Sequence, residues 1–287
     1  MPEGDNLARI ADVLQRALGG TQISAARGRP GGARLERVVG TGVVSIEARG
    51  KHLLVHFEAG LTLHTHLALH GSWHVYRQAE RWRRSPSRAV AVLEAGSAVA
   101  VCFDAPTVEL IETRALAVHP QLRRLGPDAA RDDFDIETAL AAAAAPANAE
   151  RPIGEVLIDQ RVVAGLGNVY RSEVCFIERV DPFTPAAEVS AERLRALVAT
   201  GHRLLLANRA GGRRVTTGGP AVAGLYVYGR AGRPCRRCAT PVRRAYSAAR
   251  RPVYWCPRCQ PRKTGQARDD DQSLVHSHGT AAQARTR

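Results

Sequence analysis

The stretch CRRCATPVRRAYSAARRPVYWCPRC (residues 235–259) places four of the six cysteines in a C-x2-C-x17-C-x2-C pattern: Cys235, Cys238, Cys256 and Cys259. Each C-x2-C pair turns tightly enough to aim both sulfurs at one point, and the spacer is long enough for a β-hairpin. Four thiolates so placed predict a closed tetrahedral site, structural because no coordination position stays open. One zinc ion per chain is expected there. Cys102 and Cys175 sit singly in apolar runs and read as core residues. The spacer PVRRAYSAARRPVYW carries Arg243, Arg244, Arg250 and Arg251 among aromatic side chains. Such a hairpin suits a nucleic-acid groove; the alternative is a solvated basic surface.

The charge distribution points the same way. The 287 residues include 41 Lys or Arg and 27 Asp or Glu, a formal net charge of +14. Between Arg193 and Arg268 there are 18 basic and no acidic residues, which leaves 23 basic against 27 acidic elsewhere. The positive excess therefore belongs to the C-terminal part and implies a polyanionic partner, nucleic acid before acidic membrane. Only two lysines occur, Lys51 and Lys263, so a lysine in an informative setting stands out. An apolar content of 45% over this length builds real cores and excludes a disordered chain or a disulfide-dependent mini-protein. No apolar run approaches the roughly 18 residues of a membrane span, and MPEGDNLARI is not a signal peptide, so a cytosolic protein is expected.

Upstream, residues 6–18 (NLARIADVLQRAL) show helical spacing that ends at Gly19-Gly20. From Gly40 to Phe103 short β-rich runs alternate with Gly-containing turns, which predicts an α+β chain with an N-terminal antiparallel β-sandwich and a flanking helix. The Ala- and Pro-rich stretch 141–152 reads as a linker. It separates a sandwich domain (1–140) from a helical domain (153–224), a ribbon (225–262) and a disordered tail (263–287). Six of the ten histidines fall within 52–74, and His64 and His66 share a strand face. No acidic or cysteine partner accompanies them in the sequence, so satisfied or surface histidines are expected rather than a second metal site.

Pro2 follows the initiator Met, and a small residue there favours Met removal. The result is a free secondary amine beside Glu3. An amine of this kind attacks an aldehyde-level carbon to form an iminium, and a neighbouring carboxyl shuttles the proton. Pro at this position is also common without any such role. The combination is more specific. MPEGD, RGK (49–51), DQRVVAGLGNVYRSE (159–173), LGPD (125–128) and VYGRAGRPC (227–235) precede or join the four-cysteine motif in one order. Over about residues 1–262 the chain resembles the formamidopyrimidine-DNA glycosylase/endonuclease VIII family of base-excision repair enzymes.

That resemblance implies a helix-two-turns-helix domain before the zinc ribbon, damaged DNA as partner, a monomer, and action in the bacterial cytosol at the nucleoid. It implies a bifunctional glycosylase/AP lyase in which Pro2 attacks C1′ and Glu3 acts as acid/base. Lys51 takes the place of the family lysine that approaches the phosphates and donates a proton in β-elimination. A chain that otherwise prefers Arg keeps a compact ammonium here. Asn168 matches the phosphate-binding residue at a helix start, where free N–H groups suit an anion. Arg251 matches the zinc-ribbon arginine that holds the phosphates and is linked to δ-elimination, with Arg250 beside it for DNA binding. Because C1′ is unreachable inside a stacked duplex, the nucleotide must flip out, and Leu69 lies where the family places an apolar wedge. A core leucine is the alternative.

Some positions depart from the pattern. PEGDN replaces PELPE, which points to the endonuclease VIII branch, and Asn6 stands where the family has a glutamate. DAPTVEL (104–110) replaces the DxRRFG element, and 211–224 is too short for a long lesion-capping loop. Oxidised pyrimidines are the favoured substrate on this reading. The competing readings are a non-catalytic DNA- or RNA-binding zinc-ribbon protein and an AP lyase with little glycosylase activity.

Overall fold

The structure, a computed structural model, describes residues 2–218 and 224–261. Helix α1 (Gly4–Leu18) begins two residues before the expected start and buries Leu7, Ala11, Leu14 and Leu18 along one face. Eight strands follow: β1 (Ile23–Gly28), β2 (Val43–Arg49), β3 (His52–Phe57), β4 (Leu61–His66), β5 (Ser72–Arg77), β6 (Ala89–Ala95), β7 (Ala98–Phe103) and β8 (Thr107–Glu112). They form two antiparallel sheets, ordered β1-β6-β7-β5 and β2-β3-β4-β8. Leu53, Val55 and Phe57 of β3 and Leu61 and Leu63 of β4 face Leu93, Ala100 and Cys102 of the other sheet across a core shared with α1.

Strands β1 and β8 lie outside the β-rich stretch read from the sequence. ISAARG offers small and charged residues in place of an apolar run, and TVELIE is a half-exposed edge. On the second sheet both faces are covered. The outer face, with Leu54 at its centre, lies under two short 3-10 turns (Thr113–Val118 and Leu122–Arg124) through Leu116 and Leu122. This double coverage explains the continuous burial of HLLV and LTLHT.

The helical half contains α2 (Ile136–Ala143), α3 (Ile153–Leu157), α4 (Asn168–Ile177) and α5 (Ala191–Asn208). The stretch 141–152 is not an extended linker. It carries the end of α2, whose Ala139 and Ala143 are buried in the same core as Leu197, Val198 and Leu205 of α5. Asn148 is also buried and donates to the Ala142 carbonyl at 2.8 Å. Alanine-only burial gives α2 little amphipathic contrast, so composition misreads it. The ribbon contributes the hairpin β9 (Arg243–Tyr246) and β10 (Pro252–Trp255), paired antiparallel. The expected tail at 263–287 lies outside the described residues.

Backbone contacts help to fix one half on the other. The Gly4 N–H donates to the Gly165 carbonyl at 2.9 Å, and the Gly50 N–H donates to Asp128 Oδ2 at 2.6 Å.

Candidate active site and nucleic-acid interface

Glu3 is fully buried although it precedes the first turn of α1. Its carboxylate sits on the N-terminus of α4, accepting from the Val169 N–H at 2.9 Å and the Tyr170 N–H at 3.4 Å. These are orphan donors of a helix start, which explains why an acid from 166 residues away docks there. A Cβ on Gly167 would lie 2.4 Å from Glu3 Cδ, so GLGN requires glycine at this position. Pro2 lines a cavity of about 510 Å³ together with Asn6, Ile10, Trp73, His74 and Arg214.

Asn168, the first residue of α4, is buried, and its Oδ1 accepts from Arg171 Nη2 at 2.9 Å. The same Nη2 reaches the Pro252 carbonyl of β10 at 3.1 Å, and Arg171 also pairs with Glu155. A buried guanidinium thus ties the helix start to the ribbon.

Lys51 occupies the two-residue turn between β2 and β3. Gly50 (φ 58°) takes the first central position, where a positive φ favours glycine. Burial holds the Lys51 ammonium at about 8, below the usual lysine range. Glu3 opposes that shift, and Arg251, Arg171 and Arg214 reinforce it. These electrostatic neighbours place Lys51, Glu3 and Arg251 around one locus.

Arg250 (φ 53°) and Arg251 sit in the β9–β10 turn and are exposed, with the turn closed by the Ser247 N–H donating to the Arg251 carbonyl at 2.9 Å. Leu69 is 60% exposed on the β4–β5 loop, flanked by Ala68 at φ 49° and buried Leu67. The core-leucine alternative does not hold.

The four cysteine sulfurs converge. Cys235 and Cys259 are 3.8 Å apart, and Cys238 lies 3.5 Å from both Cys256 and Cys259. Those spacings match the roughly 3.8 Å edge of a tetrahedron with 2.3 Å metal–sulfur bonds, and they are too long for disulfides. The cluster can hold a metal ion. The Arg237 N–H points at Cys235 Sγ at 3.4 Å, while the Arg237 guanidinium lies 4.5 Å over the Phe176 ring. Gln260 bridges the Cys256 N–H to the Val180 carbonyl at 2.9 and 2.8 Å.

Several residues of the site had no assignment from the sequence. Arg214 grips buried Asp5 with two 2.6 Å hydrogen bonds and also reaches Asn6, while the Tyr170 hydroxyl donates to Asp5 Oδ2 at 2.9 Å. Burial and the Asp5 charge push the Tyr170 hydroxyl well above its ordinary pKa. Glu173 accepts from the N–H groups of Tyr226, Val227 and Tyr228 at 2.7, 2.9 and 2.8 Å. Asp5 is visible in PEGD and Glu173 in YRSE, but their partners lie tens to hundreds of residues away, beyond any local pattern.

Comparison with known proteins agrees with this architecture. The model of the formamidopyrimidine-DNA glycosylase N-terminal domain matches residues 1–106, and that of the H2TH domain of the same glycosylase matches 125–217. The "Probable endonuclease 8 2" of Streptomyces coelicolor is 40% identical over 91% of this chain and 94% of its own length. The chain belongs to the formamidopyrimidine-DNA glycosylase/endonuclease VIII family. Within it, a further relative is the "DNA-(apurinic or apyrimidinic site) lyase Nei2" of Mycolicibacterium smegmatis, 35% identical over 91% of this chain and 99% of the relative. The Lactococcus lactis Fpg (MutM) in complex with oxidised-pyrimidine DNA shares the fold. It has a TM-score of 0.78 and 22% identity, covering 91% of this chain and all of the other. The endonuclease 8 names of the relatives agree with the PEGD start of this family member. The H2TH match begins at residue 125, consistent with a helical half that starts well before 153.

Proposed function

We propose that this chain is a base-excision repair enzyme, a bifunctional DNA glycosylase/AP lyase acting through the amine of Pro2. The observation that supports this reading is the burial of Glu3 on the α4 N-terminus, one residue after Pro2, which lines the cavity, with the Glu3 charge acting on Lys51. The Pro2 nitrogen attacks C1′ and the base departs with the glycosidic electron pair. Glu3 protonates the ring oxygen as the sugar opens, leaving an iminium. A C2′ proton then passes to water as the C3′–O bond breaks and the 3′ phosphate leaves, with Lys51 as proton donor; loss of a C4′ proton to water in a second elimination breaks the C5′–O bond and expels the 5′ phosphate.

Asn168 and Arg251 hold the flanking phosphates, Arg250 extends that grip along the backbone, and exposed Leu69 fills the gap left by the flipped nucleotide. The four cysteines hold one zinc ion, which supplies structural cross-linking of the ribbon. Oxidised pyrimidines are the favoured lesions; the protein works as a monomer in the bacterial cytosol, at the nucleoid. The name of the Mycolicibacterium relative supports a narrower reading, in which lyase action on abasic sites dominates.

Borohydride reduction in the presence of damaged duplex tests the scheme. A covalent adduct is expected, weakened by Pro2→Gly and lost when Met1 is retained. An adduct unaffected by both changes excludes the Pro2 amine. Comparing abasic with thymine-glycol or dihydrouracil duplex separates the lyase reading from the full glycosylase.

A further inference from the structure

Among the described residues, a second set of metal-ligating side chains lies on the outer face of the β2-β3-β4-β8 sheet, away from the cysteines. The β4–β8 register sets His64 directly opposite Glu109, so both side chains leave the same face. His64 Nδ1 lies 3.0 Å from Glu109 Oε2, and His119, at the end of the 113–118 turn, brings Nε2 to 3.2 Å from the same oxygen. All three ligand atoms fall within 4.8 Å of one another. The sequence expectation that no acid accompanies these histidines fails because Glu109 and His119 arrive from 45 and 55 residues away.

The surroundings are those of a built site. His64 has no exposed side-chain surface, and its other ring nitrogen faces His52 Nδ1 at 2.8 Å. That contact fixes the ring plane, as an outer partner does for a ligating imidazole. The Glu109 side chain is 46% exposed, which leaves an entry path for an ion. Ligands about 2.1 Å from an ion and roughly 90–100° apart are separated by about 3.0–3.2 Å, the spacing of the two nitrogens from Glu109 Oε2.

We propose that His64 Nδ1, Glu109 and His119 Nε2 bind a divalent transition-metal ion of the zinc, cobalt or nickel class, with water completing its coordination. Two imidazoles and one carboxylate select such ions over magnesium or calcium. In the metal-free protein the two imidazole N–H groups donate to Glu109. On metal entry the His64 proton moves to Nε2, where His52 Nδ1 accepts once its own proton has moved to Nε2; the His119 proton moves to Nδ1, which gives up the long 3.4 Å contact it accepts from the Leu122 N–H. Both ligand imidazoles remain neutral. The ion pins the 113–119 turn onto the β4–β8 strand pair, next to β3, the second strand of the Lys51 hairpin.

The test uses the full chain with its cysteine site already filled by zinc. Added cobalt(II) should bind as a second equivalent, with visible d–d bands and without the near-ultraviolet sulfur-to-cobalt charge transfer that a cysteine site gives. Glu109→Gln and His119→Gln, both on partly exposed positions, should each remove that equivalent, and His52→Ala should weaken it by about 10–100-fold. Circular dichroism and retained borohydride trapping verify that the variants fold. Wild-type protein that binds only one equivalent, or a second equivalent unchanged in both Gln variants, overturns the proposal.

Discussion

Lys51 shows how one side chain ties environment to rate. Its pKa of about 8 lies below the ordinary value of 10.5, chiefly because burial penalises the ammonium. If the protonated form is the proton donor, the competent fraction of free enzyme is complete below about 8 and falls tenfold per pH unit above it. The kcat/KM for abasic duplex should therefore show a descending limb near pH 8, and Lys51→Arg should abolish that limb while lowering the rate; a profile flat to pH 10 contradicts the assignment. Gly167 offers a second test at this scale. A methyl group there collides with the Glu3 carboxylate, so Gly167→Ala should cut borohydride trapping by about 10²-fold or more, the scale of a lost acid/base group. Affinity for undamaged duplex should fall far less than trapping, because Arg250 and Arg251 in the ribbon still meet the backbone even if Asn168 shifts with its neighbour.

At the scale of elements, α4 is the hub. Its N-terminus holds Glu3, Arg171 joins it to β10, and Glu173 gathers three backbone N–H groups from 226–228. Burial pushes the Glu173 carboxyl up, and the hydrogen bonds from Thr216 and those N–H groups pull against it. Glu173→Leu would leave the buried donors unpaired at about 1–3 kcal/mol each. A thermal scan should show a lower melting temperature, with the ribbon loosened from α4; an unchanged transition would mean that the loop finds other partners. The double coverage of the second sheet has a similar logic. Once the 113–124 turns close over Leu54, the histidines beside it become interior groups that need partners, and β8 supplies Glu109.

For the whole molecule, charge and chemistry occupy different halves. The arginines of 193–268 give the C-terminal half its positive field, and affinity for duplex should fall steeply with salt. Replacing Arg250 and Arg251 by Ala should lower the slope of log K against log salt by about 2, roughly 1 per phosphate contact, as fluorescence anisotropy would show. Stripping the cysteine-bound metal, or Cys256→Ser, should unfold the ribbon and abolish DNA binding, because Arg251 and the Gln260 bridge both depend on it. A chelated protein that still binds DNA with unchanged affinity would contradict a structural ion.

The sequence by itself determined whatever depends on near neighbours. The C-x2-C pairs, the Gly50-Lys51 turn and the short β-rich runs of β3 through β7 each record a local geometry that few residue types satisfy. Only the tertiary structure decided which distant groups meet. Asp5 with Arg214, Glu3 with the start of α4, Gly50 with Asp128, and His64 with Glu109 and His119 are pairings across 45 to 209 residues. The same holds for α2, whose alanines look like linker until α5 covers them. The physical reason is common to all of them: a side chain's own sequence fixes what it can bond, while burial against a remote element fixes whether that partner is present.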